Sequence, residues 1–262
     1  MATLMSKNTI RTIRTTIKQS LYSIGFLIGC IGTILVIFLS SLQNILIALG
    51  TDGLLENGFH DTLILNALVS NGMILALPML AALPYTSSFI NDLKSGFIKF
   101  NITRTSRRGY ILGKYVACAV SGGLGLIMGI IAAYVISALV FLPMEAPLPK
   151  DAESPIYFAE IMEKVLLFFF SGAFWSVVGL TVATLTNSKY MAYASPFVIY
   201  YVLIILYERY FDGFYILYPK EWTAPSSSWM WGNVGVILML SELIIIMGMV
   251  FGSVAKRRIA QV

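Results

Sequence analysis

One histidine, His60, and two cysteines, Cys30 and Cys118, are the only imidazole and thiol groups in this 262-residue chain. A zinc site needs three or four clustered ligands, so a single loop histidine does not predict one. Two cysteines inside apolar runs frame neither a disulfide network nor a metal centre. Also missing are the G-x-x-x-x-G-K-[ST] loop that cradles nucleotide phosphates, the H-E-x-x-H zinc helix and the G-x-S-x-G nucleophile elbow. No catalytic residue, metal or cofactor is therefore expected in this chain. Charge is scarce too. Only 12% of residues are charged while 58% are hydrophobic, and the mean hydropathy is +0.81, which excludes an ordinary soluble domain.

The apolar residues come in long blocks. Residues 21–49, 63–90, 110–142, 164–186, 191–207 and 232–254 are each about long enough to cross a ~30 Å hydrocarbon core as a helix. They lack the period-2 alternation of barrel strands, and a helix satisfies its own backbone in lipid. The expectation is an all-α membrane protein with six transmembrane helices in one domain over 1–262, without a second domain or an internal repeat.

Charge predicts the orientation. Lys7, Arg11, Arg14 and Lys18 precede the first run. Lys94, Lys99, Arg104, Arg107, Arg108 and Lys114 lie between the second and third, Lys189 between the fourth and fifth, and Lys256, Arg257 and Arg258 after the sixth. Of the 18 basic residues, only Lys150, Lys164, Arg209 and Lys220 fall on the other side, among acids that include Asp52, Glu56, Asp61, Asp151, Glu153 and Glu221. The positive-inside rule then puts both termini and the segment 91–109 in the cytoplasm. The net charge of +5 and pI of about 9.1 are read as this topology signal, in preference to nucleic-acid binding. The first run is too long for a signal-peptide core, and no cleaved leader is expected.

Residues 5–20 place Lys7, Arg11, Arg14 and Lys18 on one helical stripe and Ile10, Ile13 and Ile17 on another. Such a helix either lies in the membrane interface or is a simple positive anchor. Pro78 and Pro84 in the second run and Pro196 in the fifth permit kinks. Gly25/Gly29, Ser121/Gly125/Gly129 and Gly248/Gly252 have the four-residue spacing that lets helices approach closely. The connection 143–163 carries four prolines, Pro143, Pro147, Pro149 and Pro155. The long outer segment 207–231 holds three of the four tryptophans, Trp222, Trp229 and Trp231, and reads as an interfacial aromatic belt, partly re-entrant or not. Glu242, midway along the sixth run, costs roughly 2.5–3.5 kcal/mol at a helix centre. It is expected to face the bundle, in structural hydrogen bonding or in a transport path.

The segment NDLKSGFIKFNITRTSRRG (91–109) is basic yet keeps Phe97, Ile98, Phe100 and Ile102 at near-helical spacing. The expectation is a short helix over Asp92–Thr103, with Asp92 at its positive end and an apolar face for a partner protein or for lipid. Arg104, Arg107 and Arg108 would anchor its exit at the headgroups. The longer stretch ALPYTSSFINDLKSGFIKFNITRTSRRGYILGKYVA resembles the signature region of the type-2 permeases of ATP-binding-cassette exporters. Asp92, Gly96, Arg107, Arg108, Gly113 and Lys114 match that family's order of acid, glycine, coupling helix, basic turn and Gly-Lys. Where the family commonly has Glu-Arg-Glu, this chain has Asn91-Asp92-Leu93. The six-span layout extends the resemblance over nearly the whole chain.

The resemblance implies a half-transporter of the bacterial plasma membrane. Two copies would bind two separate ATPase subunits, which hold the ATP and Mg. It implies ATPase coupling through Asp92, Lys94, Gly96, Phe97, Phe100 and Arg104, and inner-interface anchoring by Arg107, Arg108 and Lys114. A path between copies would be lined by Met73, Leu77, Phe197, Tyr201 and Glu242. Small members of the family export amphipathic or antimicrobial peptides, phenol-soluble modulins among them. A drug or lipid cargo would suit the apolar spans equally. A membrane anchor or sensor subunit, and an intramembrane enzyme, are the alternatives.

Overall fold

The computed structural model describes residues 2–51, 53–147, 157–211, 213–227 and 229–261, so the middle of the proline-rich connection, with Pro149 and Pro155, lies outside the described residues. The chain is 82% helical and, among the described residues, forms no strand, which makes the fold all-α. In chain order the helices are α1 (Ala2–Leu21), α2 (Ile24–Ser40), α3 (Leu42–Leu49), α4 (Phe59–Val69), α5 (Asn71–Ala82), α6 (Ser88–Lys94), α7 (Phe97–Arg104), α8 (Arg107–Phe141), α9 (Tyr157–Thr186), α10 (Lys189–Tyr210) and α11 (Gly232–Ala260). Helices α8 to α11 are each long and apolar enough to cross a membrane. Two bent pairs, α1–α2 at 51° and α4–α5 at 68°, raise the number to six if each pair is one span.

The last four apolar runs become single helices, but the first two break. Ser41 separates α3 from α2. Ser70 divides the second run: its backbone is extended (φ −63, ψ 148) and its hydroxyl accepts the Met73 amide, starting α5 as an N-cap. The bend comes from this cap. Pro78 lies inside α5 without ending it, and Pro84 lies in the turn after it. The Pro84 carbonyl accepts the Ser23 hydroxyl at 3.0 Å, at the bend between α1 and α2.

Helix α9 forms the centre, with Phe168, Trp175, Val177 and Leu180 fully buried. It crosses α8 at small residues. A Cβ on Gly122 would come within 2.7 Å of Ser176 Oγ, so only glycine allows this approach. Beside it, the Ser176 hydroxyl donates to the Cys118 carbonyl at 2.9 Å. Helix α1 packs on the start of α8, where Gly109 and Gly113 face Thr9, Thr12 and Thr16. The threonine face makes this contact; of the isoleucine stripe, Ile10 is 63% exposed while Ile13 and Ile17 are partly buried.

The acidic end is closed by a polar clasp. Glu145, just past α8, accepts the Gly58 amide at 3.0 Å, the His60 amide at 2.8 Å and contacts His60 Nδ1 at 2.6 Å. Tyr134 of α8 donates to Asp61 at 3.0 Å. His60 thus fastens α4 to the end of α8. The segment between α10 and α11 is partly a plug. Trp222 is buried against Phe174 and Trp175, and its indole donates to the Ile216 carbonyl. Tyr210, Phe214 and Trp231 remain exposed, as in an aromatic belt.

Candidate functional site

At the basic end, α6 continues the direction change that follows Pro84, and Gly96 stops it. Gly96 has φ 73, a left-handed conformation that L side chains rarely adopt, so the chain turns here and restarts as α7. The expected single helix over Asp92–Thr103 is therefore an elbow of two. Asp92 stands near the end of α6, not in the first turn of α7, so no helix dipole recommends it there. Its partners lie on α8. Ser106 caps that helix by accepting the Gly109 amide at 3.1 Å, which sets the register of the residues that follow.

One helical turn apart on α8, Tyr110 and Lys114 both reach Asp92. The Lys114 ammonium is 2.8 Å from the carboxylate, and the Tyr110 hydroxyl donates to it at 2.6 Å. Lys114 also donates to the Tyr85 hydroxyl at 3.1 Å and lies 4.8 Å from the Tyr85 ring centre. A buried ammonium needs such company, because an unpaired charge away from water is costly. Lys114 is 6% exposed. It is thus inside the protein, and the sequence expectation of a headgroup anchor does not describe its surroundings. The cluster forms one wall of a polar cleft of about 870 Å³ between α1, the elbow and α8, with Arg11 and Thr16 opposite.

Below this lock, the elbow rests on a second apolar core. Phe89 and Ile90 of α6 and Ile98 of α7 are buried with Ile111, Phe251 and Ala255. Phe89 meets Phe251 edge-on at 5.5 Å. Among the described apolar side chains of α7, Ile98 is the one turned inward. Phe97 is 52% exposed and Phe100 74%. Lys94, Arg107 and Arg108 are exposed, and the Arg104 side chain lies outside the described residues.

The expected path residues separate. Met73 and Leu77 are 0% and 1% exposed, sealed in the main core. Phe197 and Tyr201 form a partly exposed ring pair on α10, 4.7 Å apart. Glu242 is exposed on α11, pointing away from the bundle it was expected to face, because Leu240 and Phe251 occupy the inward side. The sequence reading named Asp92 and Lys114 for different tasks and passed over Tyr85 and Tyr110. The Gly113-Lys114 pair and Tyr110 beside the basic turn are the local signal; Tyr85, far up the chain, has none.

No protein-family model, curated protein or solved structure matches the chain.

Proposed function

We propose that this chain is the membrane subunit of an ATP-driven exporter, working as two copies with two separate ATPase subunits that bind ATP and Mg. One observation carries the proposal: α7 turns Phe97 and Phe100 outward while Ile98 holds it to the core, and α6, the other arm of the elbow, is bolted to α8 through Asp92 and Lys114. A helix that only touched lipid has no need of a buried ion pair at its base. A helix that receives a push from a partner does, because the load must reach the spans. The resemblance of 82–117 to type-2 exporter permeases points the same way, and the six-span, both-termini-inside topology goes with it.

In this reading ATP-driven closure of the ATPase pair displaces the cytoplasmic elbow, and the displacement biases the membrane helices between two arrangements. Met73 and Leu77 line a path only if α5 parts from the core, a motion that the break at Ser70 accommodates. The half-exposed rings of Phe197 and Tyr201 suit an amphipathic peptide as cargo.

The test is Phe97→Ala with Phe100→Ala. Truncating a packed aromatic costs about 3–5 kcal/mol, and interface anchors carry most of a docking energy. The variant should insert and fold, fail to retain the ATPase on co-purification, and lose cargo-stimulated hydrolysis in liposomes. A variant that keeps full ATPase binding and transport would sink the proposal. One that keeps ATPase binding where the wild type also shows no transport would mark a non-transporting anchor subunit.

A further inference from the structure

Helices α8 and α11 touch at Tyr115, whose hydroxyl donates to the Ile244 carbonyl at 2.9 Å and whose ring lies over Gly248. From there toward the basic end they part. The gap is a groove of about 570 Å³, floored by Gly248 and Gly252 and walled by Ile111 and Met249. A Cβ on Gly252 would meet nothing within 4 Å, so the space is open and not merely loosely packed. At the mouth stand Arg108 from α8 and Lys256 from α11, and no acidic side chain lines the groove among the described residues. Gly248, Gly252 and Lys256 follow one line down α11, about 12 Å long.

We infer that this groove is a binding site for an anionic phospholipid, its phosphate between Arg108 and Lys256 and an acyl chain laid over Gly252 toward Tyr115. The shape and the charge ask for an amphiphile. Two cations from different helices at one end select a phosphate, as basic pockets between membrane helices do, while the apolar length beyond them offers a free inorganic anion nothing. A second copy of this chain laid groove to groove fits poorly, since that isologous contact brings two Arg108–Lys256 pairs into one interface to which the groove lining adds no acid. The inference rests on the chain spanning a bilayer and not on transport, so it stands or falls separately from the exporter proposal.

Purified protein in neutral detergent would be titrated with dioleoyl phosphatidylglycerol, dioleoyl phosphatidylcholine and glycerol 3-phosphate, reading bound lipid by native mass spectrometry and the thermal midpoint. Phosphatidylglycerol should bind and stabilise, phosphatidylcholine much less, and glycerol 3-phosphate not at all. Arg108→Gln with Lys256→Gln should weaken phosphatidylglycerol binding roughly 30-fold, taking about 1 kcal/mol per cation. It should leave phosphatidylcholine binding unchanged. Gly252→Leu keeps both cations but fills the acyl seat, and it should abolish the preference while the protein stays folded. The inference is overturned by equal binding of the two lipids, by undiminished phosphatidylglycerol binding in Gly252→Leu, or by glycerol 3-phosphate matching the lipid. It is equally overturned if Met249→Cys forms a disulfide dimer in membranes beyond that of the unaltered chain, since a second copy would then cover the groove.

Discussion

Asp92→Asn removes the counter-charge and leaves the Lys114 ammonium inside the protein with a neutral amide, the Tyr85 hydroxyl and two ring faces for company. Removing one partner of a buried pair typically costs about 3–5 kcal/mol, most of it the penalty of the stranded charge. The Lys114 side chain is 7% exposed and that of Asp92 21%, so the stranded lysine is the drier of the two. Asp92→Asn should therefore fall at the upper part of that range, about 4 kcal/mol. Lys114→Met strands a carboxylate that water can partly reach and that keeps the Tyr110 hydroxyl, so about 3 kcal/mol is expected. For a chain of this size each kcal/mol moves the unfolding midpoint by roughly 2–4 °C, which predicts losses on the order of 10 °C for either variant. The double variant leaves no charge, and methionine keeps most of the lysine stem's volume, so it should recover most of the loss and show strong non-additivity. Tryptophan fluorescence during heating in a mild detergent reads all four proteins. Single variants within 2 °C of the parent, or a double variant with the summed losses, would refute a buried pair that bears on the fold.

Two further outcomes follow from the other charged groups. Burial acts to raise the Glu145 carboxyl, yet the His60 amide and ring and the Gly58 amide outweigh it and hold the group below its ordinary 4.5. A carboxylate held low in the fold contributes its stability above about pH 4.5 and loses it as pH falls through the depressed value. Glu145→Gln should therefore melt earlier than the parent near pH 6, and the two melting curves should converge toward pH 3; parallel curves at every pH would contradict this. Glu242→Leu should leave the melting midpoint of the isolated chain within about 2 °C, because an exposed surface substitution usually changes stability by less than 0.5 kcal/mol. In a translocon insertion assay of the α11 segment the same change should favour insertion by roughly 2.5–3.5 kcal/mol, and a large loss of stability would mean that Glu242 has a partner inside the chain.

The helical class and the four long helices were legible because hydropathy blocks report burial in lipid without regard to tertiary contacts. The breaks were not. Ser23 and Ser70 are ordinary residues in apolar runs, and only their capping geometry shows that the helix axis changes there. Gly96 could have been read as a C-cap, but the apolar spacing of Phe97, Ile98 and Phe100 drew one helix through it. That spacing proved right for α7 alone. Asp92 and Lys114 are 22 positions apart and His60 and Glu145 are 85 apart, so neither pairing has a local signal. Composition could mark Trp222 as interfacial, yet its burial between Phe174 and Trp175 depends on how α9 and the outer segment meet.

The polar contacts share one pattern. At the acidic end, His60 and Asp61 of α4 are held by Glu145 and by Tyr134 of α8; at the basic end, Tyr85 and Asp92, which follow α5, are held by Lys114 and Tyr110 of α8. The second apolar run is therefore tied at both ends to one unbroken helix of 35 residues, while its own middle is bent by 68° at Ser70. A segment pinned at both ends cannot slide along α8 as a rigid rod without breaking a buried pair. Its bend is the place where the angle can change, at the cost of the bonds from the Ser70 hydroxyl and amide to the Ala67 carbonyl that bridge the two helices. In the exporter reading proposed above, a displacement of the elbow that leaves the Asp92–Lys114 pair intact would be shared with α8 at the basic end and taken up at Ser70, where α5 carries Met73 and Leu77 into the core.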